Sequence, residues 1–221
     1  MRVLVLLTVL PCLLGAQLLG QEPIAVELSR GICRTIQNTQ ECARAIEAQQ
    51  LRQSADRARR QDGVLQLRLS SGRWLSVSND TTSEWPSWFE YLGYLKSIDH
   101  FVLWQQHPEG NSIRLVNGRN GKAVSVDDMP IVSPDRRRFL TASLDLESGF
   151  NPNRLVVWRL TADTILQEAA FGADDWGADS VVWFSPTAFR FSRVSQSQNG
   201  SLHVISQDTV RFSHGTWSLR R

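Results

Sequence analysis

Most of the chain alternates apolar and polar residues over short stretches that turn-forming residues separate. The stretch 64–69 shows the pattern clearly, and Ser70-Ser71-Gly72 separates it from the next stretch, 74–77. A period of two places one face of each stretch against a core, which is typical of β-strands. The pattern predicts strands at 64–69, 74–77, 88–95, 100–105, 112–116, 123–126, 138–143, 154–160, 165–171, 181–184, 188–193, 202–205 and 216–219.

Residues 39–60 do not show this alternation. They contain no Gly and no Pro, and they include many strong helix formers. Asn38 is placed to cap a helix, with Glu41 three residues later. This pattern predicts a helix from Thr39 to about Arg60, ahead of the strands.

The N-terminus has a third pattern. Met1-Arg2 precedes an apolar run from Val3 to Leu19, and small residues lie near its end. This order predicts a signal peptide over residues 1–21, cleaved between about Ala16 and Gln21. A membrane anchor is the alternative, but the run is short for one and Pro11 interrupts it. We expect an exported protein, periplasmic or secreted, with no stable membrane insertion after cleavage.

Two cysteines, Cys33 and Cys42, remain after such a cleavage. An even pair in an exported chain favours a disulfide. On one straight helix they would lie about 13 Å apart, too far for a bridge, so the chain must turn between them near Asn38. A reactive thiol or a metal pair is the alternative, although no C-x-x-C spacing and no nearby His supports either. The disulfide would pin the start of the helix.

A turn motif narrows the architecture. The segment 132–140, with Ser133-Pro134-Asp135 followed by Arg136, resembles the Ser-Pro-Asp-Gly turn of TolB-type propeller blades. Residues 156–160 resemble a strand of a WD-type blade, and a second Ser-Pro pair at 185–186 follows 52 positions after the first. The whole chain also resembles a group of uncharacterised bacterial exported proteins, a likeness that implies no particular activity.

The predicted fold class is therefore mainly β. We expect antiparallel blade-like sheets, arranged as a partial propeller or a sandwich, preceded by a disulfide-pinned N-terminal helix. A closed propeller needs four or more blades, and about 160 residues hold at most three. Residues 22–62 are assigned to the helical segment and residues 63–221 to the antiparallel β-domain.

The net charge and the absence of known catalytic motifs argue against nucleic-acid binding and against several classes of enzyme. The formal net charge is +2, and loss of Arg2 with the signal leaves +1. Such a balance gives no overall attraction to nucleic acid. The sequence contains no H-E-x-x-H motif, no G-x-S-x-G elbow and no phosphate-binding glycine loop. We therefore expect no catalytic residues and no resident cofactor.

An acidic loop offers one candidate metal site. Asp145, Glu147, Asn151 and Asn153 surround Gly149 with oxygen-bearing side chains. Calcium prefers six to eight oxygen ligands from such loops. Turn formation explains the same residues, with Leu146 and Phe150 as hydrophobic anchors.

Aromatic residues form the other candidate site. Trp85, Trp88, Tyr91 and Tyr94 lie within ten residues. They would fill a core, or, where exposed, bind a sugar face or a protein partner. Trp85 and Trp88 are the two that we expect to be exposed.

The function favoured by these observations is a non-enzymatic exported module that contacts a protein or an envelope glycan. The alternative is a cell-envelope hydrolase or carbohydrate-binding protein that uses the acidic loops and the aromatic cluster between Trp85 and Tyr94.

Overall fold

The computed structural model describes residues 31–36, 38–172 and 174–220. The predicted signal peptide lies outside the described residues. Within these described ranges one long helix, α1, spans Thr39–Gln53, and strands follow it. The strands are β1 (Ala58–Gln61), β2 (Val64–Arg68), β3 (Trp74–Val77), β4 (Trp88–Leu95), β5 (His100–His107), β6 (Gly110–Asn117), β7 (Ala123–Val126), β8 (Ile131–Val132), β9 (Arg138–Ser143), β10 (Arg154–Leu160), β11 (Ile165–Gly172), β12 (Gly177–Ser185), β13 (Ala188–Gln196), β14 (Leu202–Ser213) and β15 (Thr216–Arg220).

Helix α1 begins as predicted and ends earlier than predicted. The Asn38 side chain accepts hydrogen bonds from the backbone N–H groups of Gln40 and Glu41, at 2.9 and 3.0 Å. At the other end, the Ser54 hydroxyl donates to the Gln50 carbonyl at 2.6 Å. Residues 58–61 are not helical but form β1, because Ala58 is fully buried opposite Leu67 of β2. Tertiary pairing thus overrides local helix propensity.

The predicted disulfide is confirmed. Cys33 is bonded to Cys42, with their Cα atoms 5.2 Å apart. Cys42 lies in the first part of α1, and Cys33 lies before the Asn38 cap. The bridge therefore ties the start of the helix to the segment that precedes it.

The strands form four antiparallel sheets, each built from consecutive strands. Sheet 1 contains β1–β3, sheet 2 β4–β7, sheet 3 β8–β11 and sheet 4 β12–β15. In every sheet, strands that are neighbours in sequence are neighbours in the sheet. This is the simple up-and-down arrangement of a blade, and the mainly β, blade-like fold class is confirmed.

Three hydrophobic cores join these sheets in chain order. One core packs Leu67 of sheet 1 against Phe101 of sheet 2. A second joins α1, sheet 2 and sheet 3, and a third joins sheet 3 to sheet 4. Sheets 2 and 3 are consequently buried on both faces.

Burial on both faces explains the uninterrupted apolar runs in the central strands. In β10, Leu155 and Val157 lie in the third core, whereas Val156 and Trp158 lie in the second. Alternate side chains of one strand point to opposite faces, so each face meets a different core. The sheets therefore stack face to face as layers.

The two Ser-Pro pairs occupy equivalent places. Ser133-Pro134 joins the first and second strands of sheet 3, and Ser185-Pro186 joins the first and second strands of sheet 4. The Ser133 hydroxyl accepts from the Arg138 N–H at 3.0 Å and donates to Asp135 at 2.7 Å. Each pair therefore reverses the chain at the same point of its sheet.

Candidate functional site

A groove of about 850 Å³ lies between sheets 2, 3 and 4. The first strand of each of these sheets contributes to it, through Leu92 of β4, Ile131 of β8 and Val181 of β12. The linker between β7 and β8 supplies Asp127 to Pro130. Apolar side chains line much of its wall: Ile46, Leu92, Leu95, Trp104, Ile113, Met129, Ile131, Leu144, Val181 and Val182.

Four carboxylates line the groove, and no Lys or Arg of the described residues lines it with them. They are Asp127, Asp128, Asp145 and Asp179. Asp127 is neutralised by Arg154, whose guanidinium donates two hydrogen bonds to it at 2.6 and 2.8 Å. The groove is therefore acidic as well as apolar.

Asp145 serves the structure of its own loop. Its carboxylate accepts from the backbone N–H groups of Ser148, Gly149 and Asn151, at 3.1, 3.2 and 2.8 Å. Desolvation raises the pKa of Asp145, but the hydrogen bonds from Ser148, Asn151 and Gly149 outweigh it and lower the pKa to about 2. This carboxylate therefore stays ionised and engaged by the turn.

Asp128 and Asp179 carry the remaining charge of the groove. Asp128 accepts from the backbone N–H of Met129 at 2.6 Å, and Asp179 accepts from the Ser180 hydroxyl at 3.1 Å. Both are exposed. No salt bridge between described residues involves either of them. They can therefore receive a cationic group from a ligand.

The Asp128 carboxyl has an altered acidity. It is in contact with water, yet protein surrounds it in the groove, and this desolvation is the main cause that raises its pKa. The Met129 N–H opposes this effect and the charge of Asp127 adds to it, and together they bring the pKa to about 6. The negative charge of the groove therefore increases between mildly acidic and neutral pH.

The structure separates the four aromatic residues of the predicted binding cluster. Trp85 is 59% exposed, whereas Trp88 begins β4 and is half-buried. Tyr91 is fully buried, and burial raises its pKa. Tyr94 is half-buried against Phe101 and donates to Asp99; burial, then this hydrogen bond, raises its pKa to about 12. Of these four, Trp85 alone is largely accessible.

The predicted calcium loop is a hydrogen-bonded turn. Asn151 donates to Asp145, and the Asn153 side chain accepts from the Asp145 backbone N–H at 2.6 Å. Glu147 is exposed. Among the described residues, no group of three or more His, Cys, Asp or Glu side chains is arranged to hold a metal ion. Calcium binding stays a prediction. To bind calcium, Asp145 and Asn153 would have to give up their present hydrogen bonds within the loop.

One expectation about this loop was wrong. Phe150, interpreted from sequence as a hydrophobic anchor, is 65% exposed. Its loop is already fixed by the Asp145 hydrogen bonds, so no buried aromatic is needed to hold it.

The sequence alone did not reveal the groove. Leu92, Asp128 and Asp179 come from β4, a linker and β12, which lie far apart in sequence. The local signals in the sequence were the adjacent acidic residues at 127–128, outside any strand, and the acidic loop that contains Asp145.

Comparisons with known proteins do not assign this chain to a family. No family model matches it, and no curated protein matches it. Among solved structures it is similar to an S. cerevisiae complex of a Dbp5 variant bound to Nup159, a Gle1 variant, IP6 and ADP. That match has 10% identity and a TM-score of 0.31, and covers 74% of this chain but 46% of the other. At this TM-score the likeness carries no argument about fold or function.

The helices give one further finding. Among the residues that the structure describes, no helix is long and apolar enough to cross a membrane.

Proposed function

We propose that this chain is an exported, non-enzymatic interaction module that binds an extended segment of a protein partner in the groove. The observation that carries the proposal is the composition of the groove. Its walls are largely apolar, and among the described residues three of its carboxylates (Asp128, Asp145 and Asp179) form no salt bridge, and no Lys or Arg lines it. A partner segment with both apolar and basic side chains complements such a surface.

The size of the groove supports a ligand of several side chains. Its volume of about 850 Å³ falls within the range of about 300–1,000 Å³ that is typical of ligand sites. The groove also opens between three sheets, which are rigid elements with packed cores. A preformed site of this kind loses little conformational entropy when it binds.

Two of the four carboxylates in the groove already have partners within the chain. Asp127 and Asp145 are engaged by Arg154 and by the loop N–H groups, so neither is free to exchange protons with a substrate. Export is supported by the Cys33–Cys42 disulfide, since such bonds persist in oxidising compartments. A secreted or periplasmic partner follows from that location.

The test uses a fluorescein-labelled short peptide that alternates lysine and leucine, measured by fluorescence anisotropy at pH 8. We expect it to bind, and a peptide of the same length that alternates glutamate and leucine not to bind. Asp128→Asn and Asp179→Asn should each weaken binding by roughly fivefold, because a partly exposed ion pair contributes up to about 1 kcal/mol.

The matched control is Asp163→Asn, which removes an exposed carboxylate that does not line the groove. It should leave the affinity unchanged. Equal binding of the acidic peptide, or equal effects of all three substitutions, would show that the groove does not select a basic segment.

A further inference from the structure

A second, smaller pocket lies beside the groove and brings together two aromatic residues that are distant in sequence. Trp85 and Phe150 both line this pocket, which has a volume of about 340 Å³. They are 59% and 65% exposed, more than any other large hydrophobic side chain of the described residues. Exposing two large aromatic rings costs solvation free energy, so their convergence in one concave site indicates a binding surface.

Both rings are carried by loops that internal hydrogen bonds hold in place. In the Trp85 loop, the backbones of Asp80 and Ser87 pair in both directions at 2.9 and 2.7 Å. The Asp80 carboxylate also accepts from the N–H groups of Thr82 and Ser83, both at 3.1 Å. In the Phe150 loop, Asp145 accepts from three backbone N–H groups. The pocket is therefore preorganised on both sides.

Gly110 allows the two sides to meet. It begins β6, and a Cβ atom there would lie 3.3 Å from Asn151 Oδ1 and 3.6 Å from Phe150 Cβ. A Cβ atom at this position would touch Phe150 Cβ and would require the Asn151 side chain to shift by a few tenths of an ångström. The close approach of the β5–β6 turn to this loop thus forms the floor of the pocket.

The polar residues of the pocket define the class of ligand. His107, Glu109, Asn111 and Asn151 line it, and no Lys or Arg of the described chain does. Amide and carboxylate groups of this kind exchange hydrogen bonds with hydroxyls, whereas an anionic ligand would require a cationic partner. Aromatic rings offer flat apolar faces to the C–H faces of pyranose rings.

We propose that this pocket binds a neutral oligosaccharide, with sugar rings stacked on Trp85 and Phe150 and hydroxyls bonded to the neighbouring amide and carboxylate groups. The site is separate from the carboxylates Asp128 and Asp179, although Asn111 and Asn151 line both the pocket and the groove. The module would then contact a glycan and a protein segment through adjoining surfaces.

The test is isothermal titration calorimetry of the whole chain with chitotetraose, cellotetraose and maltotetraose, each to about 10 mM, and with trigalacturonate as an anionic comparison. We expect at least one neutral sugar to bind and trigalacturonate not to bind. Trp85→Ala and Phe150→Ala should each weaken binding by roughly tenfold, because each removes one stacking surface.

Phe184→Ala is the matched control. Phe184 is 49% exposed on β12 of sheet 4 and does not line the pocket. Its loss should leave sugar affinity unchanged, and circular dichroism melting should show that all three variants remain folded. Asp179→Asn should also leave sugar affinity unchanged, which separates this result from that of the peptide experiment. Absence of heat with every neutral sugar, tighter binding of trigalacturonate, or equal binding by Trp85→Ala would overturn the proposal.

Discussion

Asp128 shows how the groove changes the chemistry of a single side chain. Its pKa rises to about 6, mainly through desolvation, so the folded chain holds a proton between about pH 4 and pH 6 that the unfolded chain has already lost. Where the folded state binds more protons, the free energy of unfolding falls as pH rises. At low pH, where Asp128 is protonated in both states, it does not lower the free energy of unfolding. Above its folded pKa, where Asp128 is ionised in both states, the destabilisation reaches its full size.

We predict that Asp128→Asn becomes progressively more stable than the parent chain as pH rises from about 4 to about 7. The two should have a constant difference in stability well below pH 4, where Asp128 is protonated in both the folded and the unfolded state. The effect should be small, because water in the groove screens the charge. Urea denaturation at several pH values measures it. A stability difference between Asp128→Asn and the parent that stays constant from about pH 4 to about pH 7 would contradict the raised pKa.

Individual residues were predictable where a local interaction decides their place. Asn38 caps α1 because its own side chain reaches the next N–H groups. Tyr91 was not predictable, because its exposure depends on sheet 1 covering the face of β4 that carries it. The exposure of Phe150 was not predicted either. The hydrogen bonds of Asp145 hold its loop in place without a buried aromatic side chain.

The turn between β8 and β9 differs from the Ser-Pro-Asp-Gly turn of propeller blades at one position, where Arg136 replaces glycine. Arg136 follows Ser133-Pro134-Asp135 and has a φ of 58°, in the left-handed region. Glycine adopts this conformation readily, whereas an L side chain there costs about 1–2 kcal/mol. The Arg136 N–H still donates to the Ser133 carbonyl at 2.9 Å, so the turn closes despite the strain.

We predict that Arg136→Gly increases the free energy of unfolding by roughly 0.5–1 kcal/mol. Relief of strain should exceed the added flexibility of the unfolded chain, which costs about 0.4–1 kcal/mol. Chemical denaturation measures the change. The neighbouring Arg137 does not have a positive φ, so Arg137→Gly should lower stability instead. A loss of stability in both variants would show that the turn does not favour glycine at position 136.

Most strands were predictable because their apolar residues and turns are local signals. Two were missed for different reasons. The sequence of β1 is rich in Arg and Ala and favours a helix, but its pairing with β2 decides its conformation. The strand β8 has two residues, too few to show a period.

On the scale of the whole molecule, one carboxylate joins the helix to the first two sheets. Glu47 of α1 is buried and accepts two hydrogen bonds from Arg60 of β1, at 2.6 and 2.7 Å. It also accepts from the Tyr91 backbone N–H of β4 at 2.6 Å, and Arg60 donates to the Phe89 carbonyl at 2.8 Å. The Glu47–Arg60 ion pair therefore connects α1, β1 and β4.

We predict that Glu47→Ala lowers the free energy of unfolding by about 3–5 kcal/mol, because it leaves the Arg60 charge and the Tyr91 N–H without their acceptor. Urea denaturation followed by tryptophan fluorescence measures the loss. Arg52→Ala, an exposed position near the end of the same helix, should change stability by less than about 0.5 kcal/mol. Similar losses in both variants would mean that helix propensity, rather than the buried pair, holds α1 in place.

The order of the sheets could be anticipated from the chain, but the groove could not. Local patterns define each strand, whereas the groove exists where the first strands of three stacked sheets approach one another. Its residues share no spacing or motif that a linear pattern can display. Stacking is set by side-chain packing in the three cores, which is non-local.

The layered arrangement has a consequence for how the chain acquires its structure. Each sheet is complete once its own consecutive strands have been synthesised, and its main core is shared with the sheet next to it. A ribosome delivers the N-terminus first, at about 5–20 residues per second. Pairing between residues close in sequence is fast. Sheet 1 can therefore form while sheet 4 has yet to be translated, and every newly completed layer folds onto a surface that is already in place.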